Sequence, residues 1–351
     1  MTRRLSPGLS TILDALRAGA ALYVVLHHIF DARGYTHGAG LLFIFGQEAV
    51  LIFFLLSGFV IQSNEADRVA SDRRGYALRR FIRIYPLLIM AILVSTLVAF
   101  AQERLASSFS WSSLFGTLLA LQDDVVRKPG AIIRPYMINA PLWSLSYEIW
   151  FYVLFPFVSM VFRRLGQQTC QLIVGGTGLV AVLLYLGVPN FPCLVFAYFL
   201  IWWLGAMLAE AHATGVPAIR TTLILQIALT SAAIIAICYA EMARPDPRMV
   251  GFLWLMARDF LAALVLYQAL AWLVGRRWHH GTAQAAAFFS YLASLSYGLY
   301  VLHYPLLIDS GFFSSAAGLI GGGLLLVALC WLFDRKLSLW LRRTLRMGRP
   351  P

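Results

Sequence analysis

The stretch LDALRAGAALYVVLHHIF, residues 13–30, has the length and apolar character of a membrane-spanning helix but carries two residues that are rare in one. Arg17 and His28 are eleven residues apart, about three turns at ~3.6 residues per turn, so both side chains lie on one helix face. Asp14 falls on the same stripe, where it is placed to pair with Arg17. Because charged groups inside a membrane usually face the bundle interior or a water-filled cavity, the stretch predicts a membrane fold with a functional site inside it.

The composition of the 351-residue chain supports this prediction. Hydrophobic residues make up 60% of the chain and charged residues only 13%. Apolar runs of about 20 residues recur along the whole sequence, more than a soluble domain of this size buries. We predict an all-α, polytopic integral membrane protein with about ten transmembrane helices in one bundle. The ten spans are predicted to begin near Thr11, Leu41, Ile82, Leu142, Leu172, Cys193, Thr222, Gly251, Ala287 and Ala316.

Lysine and arginine residues are distributed unevenly between the two sets of predicted loops. With both termini in the cytoplasm, 19 of the 28 Lys and Arg residues fall on the cytoplasmic side, eight fall on the other side, and Arg17 lies within the first span. Cytoplasmic loops of membrane proteins carry such an excess of positive charge. The sequence therefore predicts an even number of spans and cytoplasmic termini.

No linker of domain size interrupts the spans. We predict one membrane domain over residues 1–351, with a basic cytoplasmic tail, a retained first helix rather than a cleaved signal peptide, and no appended soluble domain. The net charge of +12 resides in short juxtamembrane loops, so membrane lipids and cofactor phosphates are expected partners and nucleic acid is not. Four scattered cysteines and the absence of metal-ligand spacing predict neither a disulfide framework nor a metal site.

Two arginines at the cytoplasmic entrance of the third span form a second candidate site. In RRFIRIYP, residues 79–86, Arg80 and Arg83 are three positions apart and share a helix face. Guanidinium groups stay charged and donate bidentate hydrogen bonds, which suits phosphate recognition. The alternative is a positive-inside anchor that contacts lipid headgroups.

Polar residues also lie near the outer ends of two later spans. In PLWSLSYEIWFYVLFP, residues 141–156, Glu148 is predicted at a depth similar to that of His28, where a carboxylate orients an imidazole or carries protons. In SLSYGLYVLHYPLL, residues 294–307, His303 falls near the same side. The alternative for each is a structural anchor or a core contact.

Five motifs occur in one order along the chain: LDALRA followed by HH, FFLLSGFVI, RRFIRIYP, WSLSYEIWFYVLFP and SLSYGLYVLHYP. In the second motif, Ser57 and Gly58 form a small pair of the kind that allows close helix packing. The combination resembles the membrane acyltransferase-3 family of bacterial O-acyltransferases, and the resemblance covers most of the chain. It implies a multi-pass protein of the bacterial inner membrane that transfers an acyl group, usually acetyl, from cytoplasmic acyl-CoA to a hydroxyl at the outer face.

The resemblance also implies roles for individual residues. The family's Arg-X10-His and Arg-X-X-Arg motifs match Arg17 with His28 and Arg80 with Arg83. Its tryptophan, serine and glutamate match Trp143, Ser146 and Glu148, and its late tyrosine and histidine match Tyr297 and His303. The chain departs from many members at Leu51, where they have a polar residue. We expect no C-terminal hydrolase-like domain of the kind that some relatives carry, and therefore direct transfer or a separate partner.

Spacing and resemblance together predict a mechanism. Arg80 and Arg83 hold the phosphates of acetyl-CoA, whose extended arm passes Arg17 and brings the thioester to His28, about 16 Å away along the helix. His28 acts as general base or carries the acyl group itself, and the sequence leaves both open. Glu148 is expected to orient the imidazole and Tyr297 to donate to the thioester carbonyl. The predicted catalytic residues are His28, Glu148, Tyr297 and His303, and the predicted structural or orienting residues are Asp14, Ser57, Trp143 and Ser146.

Two other functions fit the same residues. A proton-coupled transporter or exporter of a polar solute uses an intramembrane Arg, His and Glu as a proton relay. A scaffold in a polysaccharide assembly complex uses the same charges only to hold helices together. For the acyltransferase, the expected acceptor is a glycan or a lipid-linked sugar of exopolysaccharide or lipopolysaccharide, followed by a secreted small molecule, and polysaccharide assembly proteins are a further class of partner.

Overall fold

The computed structural model describes residues 5–35, 37–276, 278, 283–337, 340 and 344. These residues form α-helices with short 3₁₀ and π turns and no β-strand. Arg3, Arg4, Arg277 and the predicted basic tail lie outside the described residues. The helices, in chain order, are α1 (Pro7–Ala32), α2 (Gly46–Glu65), α3 (Arg68–Ser71), α4 (Arg73–Ala101), α5 (Leu105–Ser108), α6 (Trp111–Leu118), α7 (Leu142–Gly187), α8 (Phe191–Thr214), α9 (Ala218–Met242), α10 (Pro247–Gly275), α11 (Ala283–His303) and α12 (Ala316–Cys330).

Nine of the described helices are long and apolar enough to cross a membrane. The predicted all-α polytopic membrane fold is therefore confirmed. Local sequence explains where these helices start: the Ser6 side chain accepts from the Leu9 amide ahead of Pro7, and Asn190 caps α8 in the same way. Helix α8 ends at Gly215, which adopts a left-handed conformation that favours glycine.

The count of nine differs from the predicted ten because α7 contains two spans. Its 46 residues correspond to about 69 Å at ~1.5 Å per residue, far more than the ~30 Å of a bilayer core. Gly166 breaks the helical geometry with φ 81°, and the thiol of Cys170 lies 3.8 Å from the carbonyl of Val158, twelve residues earlier. The chain therefore folds back at Gly166, and the two halves match the spans predicted to begin near Leu142 and Leu172.

With α7 divided, the spans connect two opposite faces of the bundle. We call one the arginine-rich face, made by residues 66–72, 166, 215–217 and 276, and the other the loop face, made by residues 33–45, 102–141, 188–190, 243–246 and 310–315. The described start of α1 and the end of α12 both lie at the arginine-rich face. The positive-inside rule predicts that this face is cytoplasmic.

Helix α8 is the centre of the bundle, and it packs against α2 at the small pair predicted from the sequence. Trp202 and Trp203 are fully buried there. A Cβ atom at Gly58 of α2 would lie 1.9 Å from the carbonyl oxygen of Trp202, and one at Gly205 would lie 2.1 Å from that of Leu55. Only glycine allows the two backbones to approach this closely, as in small-residue packing of membrane helices.

We therefore expect Gly58→Ala to destabilise the fold by about 1–3 kcal/mol, the usual cost of overpacking. Gly176→Ala in α7 is the matched control, because no atom lies within 4 Å of a Cβ at that position. Unfolding of both variants in mixed micelles measures the difference. Equal stability of the two variants would contradict the close approach of α2 and α8.

Candidate functional site

Two histidines from opposite ends of the chain meet near the loop face. Nε2 of His303 at the end of α11 lies 3.3 Å from Nδ1 of His28 on α1. His303 is fully buried, whereas His28 is half-buried. The ring of Tyr304 stands edge-on to that of His28, with centroids 5.4 Å apart.

Contacts with backbone carbonyls indicate which ring nitrogen of each histidine carries the proton. Nδ1 of His28 lies 2.9 Å from the Val24 carbonyl and Nδ1 of His303 lies 2.8 Å from that of Leu299. Since a carbonyl only accepts, both Nδ1 atoms carry the proton in the neutral rings. His28 Nδ1–H is then shared between the Val24 carbonyl and Nε2 of His303. The Nε2 atom of neutral His28 has no hydrogen-bond partner in the described part of the chain, so its lone pair is available.

A proline and an asparagine shape the helix end that carries His303. Pro305 has no N–H to give to the Val301 carbonyl, and the amide of Asn139 donates to that carbonyl instead, at 3.1 Å. A π turn, Tyr304–Asp309, follows directly, a distortion that is frequent at functional sites. The loop before Asn139 is itself strained, since Met137 and the β-branched Ile138 have φ values of 49° and 58°. Sequence reasoning missed Asn139, although Pro305 so close to His303 was the available signal.

A cavity of about 880 Å³ opens at the loop face beside the histidine pair. His28, Tyr300 and Tyr304 line it together with Trp143 and with charged residues of the loop before α7 and of α10. Tyr300 is anchored by a 2.6 Å hydrogen bond between its hydroxyl and that of Ser144. His28 is therefore reached from the loop face.

Glu148 belongs to a different group, deeper in the bundle. The hydroxyls of Ser57 and Tyr152 both donate to Oε1 of Glu148 at 2.5 Å, and the indole of Trp202 donates to Ser57 at 3.1 Å. Glu148 also lies within electrostatic range of Arg17. The predicted contact between Glu148 and His28 is not formed; His303 takes that position.

Arg17 is half-buried in the middle of this group. It lies within electrostatic range of Arg83, Glu148 and Asp14 but has no ion pair within 4 Å among the described residues. The salt bridge predicted between Asp14 and Arg17 is therefore not formed, although the two groups interact electrostatically. Arg17 also makes no side-chain hydrogen bond to the residues that the structure describes, so its N–H groups are available to a ligand.

Carboxylates hold the arginines at the entrance of α4. Arg79 binds Glu65 in a bidentate pair at 2.9 and 2.7 Å, and Arg80 donates to the same carboxylate at 3.0 Å. Nε of Arg80 is buried without a partner among the described residues. At the surface, the Gly75 amide and the Arg79 guanidinium hold the pKa of Asp72 below its usual value.

Arg83 forms the neighbouring part of the same cluster. It pairs with Asp334 at 3.1 Å and lies over the ring of Tyr297, 5.4 Å from its centroid. The Tyr297 hydroxyl donates to the Ile84 carbonyl at 3.2 Å. Tyr297 is therefore close to the arginines rather than to His28, because six residues before His303 amount to about 9 Å along the helix and a rotation away from it. Tyr300 is the tyrosine of α11 that lines the cavity.

The other predicted residues have structural contacts. Ser146 donates to the Trp143 carbonyl within its own helix, at 2.7 Å. Trp143 lies under the ammonium of Lys128, 3.7 Å from its ring centroid, and lines the cavity. Within the described ranges no three His, Cys, Asp or Glu side chains are grouped as metal ligands.

Comparison with known proteins identifies the family. The model of an acyltransferase domain, that of the acyltransferase-3 family, matches residues 11–335. The chain belongs to the acyltransferase-3 family. The chain is 32% identical over 189 residues to the acyltransferase MdmB of Streptomyces mycarofaciens, a match that covers 51% of the chain and 47% of the relative. The chain thus matches about half the length of this curated relative. No solved structure matches the chain.

Family membership confirms the resemblance stated from the five motifs. With the nine apolar helices, it places the chain among the membrane proteins of this family. The acyl donor, the acceptor and the roles of individual residues stay predictions.

Proposed function

We propose that this protein transfers an acyl group, in the first place acetyl, from cytoplasmic acyl-CoA to a hydroxyl group that enters from the outer side of the bacterial inner membrane. One observation carries the proposal. His28 has a free Nε2 beside a cavity at the loop face, while arginines gather at the opposite face. Arg17, on the same side of α1, lies about 16 Å from His28 along the helix, a separation that suits the extended arm of coenzyme A.

The arginines are suited to the donor. Arg80 and Arg83 keep partly accessible guanidinium groups, with side chains 21% and 31% exposed, and each uses only one of its Nη atoms in an ion pair. Their second Nη atoms are available to the phosphates of coenzyme A. Arg17 is free to bind a polar group of the arm, and Glu148, Ser57 and Tyr152 form a polar wall beside it.

The histidine pair supplies the acid–base chemistry. His28 Nε2 takes the proton of the acceptor hydroxyl as the hydroxyl oxygen attacks the thioester carbonyl carbon. The carbon–sulfur bond then breaks, and the thiolate takes up the proton that His28 holds. His303 stabilises the transient imidazolium because its Nε2 accepts the Nδ1–H of His28. In this proposal His28 is a base, and His303 fills the orienting role that a carboxylate fills in a triad.

The proposed acceptor is a sugar hydroxyl that enters through the cavity at the loop face. The outward opening of the cavity supports a glycan or lipid-linked sugar, as in exopolysaccharide or lipopolysaccharide modification, with polysaccharide assembly proteins as partners.

Purified protein in liposomes tests this function. With radiolabelled acetyl-CoA and a mixed glycan pool, we expect label in the acceptor and one free coenzyme A per transferred acetyl group, without any requirement for a proton gradient. Solute flux that depends on a proton gradient, with no turnover of acyl-CoA, would overturn the proposal in favour of a transporter.

A further inference from the structure

The cavity at the loop face has an unusual charge. Eight of the 28 Lys and Arg residues lie on the side of the loop face, and five of these eight line the cavity together with three aspartates. Outer loops of membrane proteins are normally poor in positive charge. The five basic residues are Arg127, Lys128, Arg134, Arg248 and Arg258.

Three of the five have carboxylate partners. Lys128 and Asp123 form a buried pair at 2.9 Å, Arg258 pairs with Glu48 at 2.9 Å, and Arg127 lies 3.7 Å from Asp124. Arg134 and Arg248 have no ion pair within 4 Å among the residues that the structure describes. Their positive charge is therefore not neutralised by a neighbouring carboxylate.

Arg248 is held in place through one end of its guanidinium. Its Nη2 donates to the carbonyls of Val125 and Lys128, at 2.6 and 3.3 Å. Its Nε and Nη1 have no hydrogen bond to the described part of the chain. A guanidinium fixed on one edge presents its other N–H groups in a planar fork, which suits the oxygens of a phosphate or carboxylate.

The turn that holds Arg248 is itself fixed by buried contacts. Lys128 is 1% exposed and Asp123 is fully buried, and the Tyr147 hydroxyl donates to the same carboxylate at 2.5 Å. The carbonyls that position Arg248 belong to this turn. The guanidinium of Arg248 therefore has little freedom to move onto a neighbouring side chain.

We propose that the acceptor carries an anionic group close to its reactive hydroxyl, a phosphate, diphosphate or carboxylate, and that Arg134 and Arg248 bind this group in the cavity. The inference rests on the proposed function, because it assigns the cavity beside His28 to the acceptor. It narrows the proposed acceptor from a glycan or lipid-linked sugar in general to an acidic or phosphorylated sugar.

Binding of inorganic diphosphate tests the anion site without turnover. Calorimetry on the full-length protein in nanodiscs, with coenzyme A present to cover the arginines of the opposite face, compares wild type with Arg248→Gln and Arg134→Gln. We expect each variant to weaken binding about tenfold or more, since each removes a charge-assisted hydrogen bond, and salt to weaken wild-type binding. Arg244→Gln is the control, because Arg244 is exposed on the loop face outside the cavity.

Acyl transfer tests whether the anion belongs to the acceptor. We expect a lower KM for glucose 1-phosphate than for glucose, and an increase in that KM alone in the Arg248→Gln and Arg134→Gln variants. A lower KM still for a polyprenyl diphosphate-linked glucose would assign the anion to a lipid-linked rather than a soluble acceptor.

The outcomes separate the two proposals. If the arginine variants bind diphosphate like wild type, or if neutral and anionic acceptors show equal KM values that the variants do not change, the anion site is wrong while acyl transfer stands. If diphosphate binding depends on Arg134 and Arg248 but no acceptor is acylated, the anion site stands and the proposed function fails.

Discussion

His28→Ala should lower the rate of acyl transfer by about 10²–10⁴-fold, the range over which a positioned general base contributes. The loss should appear in kcat and leave the affinity for acyl-CoA unchanged, because the arginines proposed for the donor phosphates lie near the other end of the bundle. The measurement is steady-state transfer from acetyl-CoA by protein in liposomes, alongside coenzyme A binding to the same preparation.

His27→Gln is the matched control for this variant. His27 is the neighbouring residue on the same helix, but its Nδ1 is engaged at 2.5 Å by the Phe43 carbonyl and its ring packs on Gly46. We expect His27→Gln to keep activity within a few-fold of wild type. Equal losses in the two variants would assign a structural role to this end of α1 and contradict the catalytic role of His28.

Trapping experiments decide between the two roles that the sequence left open for His28. A general base takes up and releases a proton but forms no covalent bond to the acyl group. Rapid quenching with radiolabelled acetyl-CoA should therefore leave no label on the protein. Label that appears on wild type and disappears in His28→Ala would identify an acyl-histidine and replace the base mechanism with a covalent one.

The order of the spans was readable from the sequence because hydropathy depends on composition alone. Nine of the ten positions at which the predicted spans begin fall within the described helices, and the tenth, Leu41, lies five residues before α2. The hairpin in α7 was also implied by separate apolar runs near Leu142 and Leu172. The alignment of Arg17 and His28 on one face was readable for a similar reason, since both belong to one helix with a known period.

Contacts between helices were not readable in this way, because the rotation and depth of each helix are set by its neighbours. Glu148 was predicted beside His28 from its distance to the start of a span, but an error of one turn changes the partner, and the structure pairs it with Ser57 and Tyr152. Tyr297 was predicted to donate to the thioester carbonyl, but its depth and rotation place it away from His28 for the same reason. Only the packing of α11 against α1 and α4 assigns Tyr297 to Arg83 and Tyr300 to the cavity.

Lys128→Ala should destabilise the fold by about 3–5 kcal/mol, the cost of leaving a buried charge without its partner. Asp123 is fully buried, and in this variant it would keep the Tyr147 hydroxyl but lose the ammonium 2.9 Å away. Unfolding in mixed micelles measures the loss.

The double variant Asp123→Asn with Lys128→Met tests whether a neutral pair of similar volume can replace the buried ion pair. It removes both charges and keeps similar volumes, and buried ion pairs replaced in this way often lose little stability. We therefore expect the double variant to be more stable than Lys128→Ala. If it is equally unstable, the main contribution of Lys128 is the charge of its ammonium, which pairs with Asp123 and lies over the ring of Trp143. In either case, Lys128→Ala removes the ion pair that fixes the turn holding Arg248. Binding of an anionic acceptor should therefore weaken in that variant, even under conditions where the bundle stays folded.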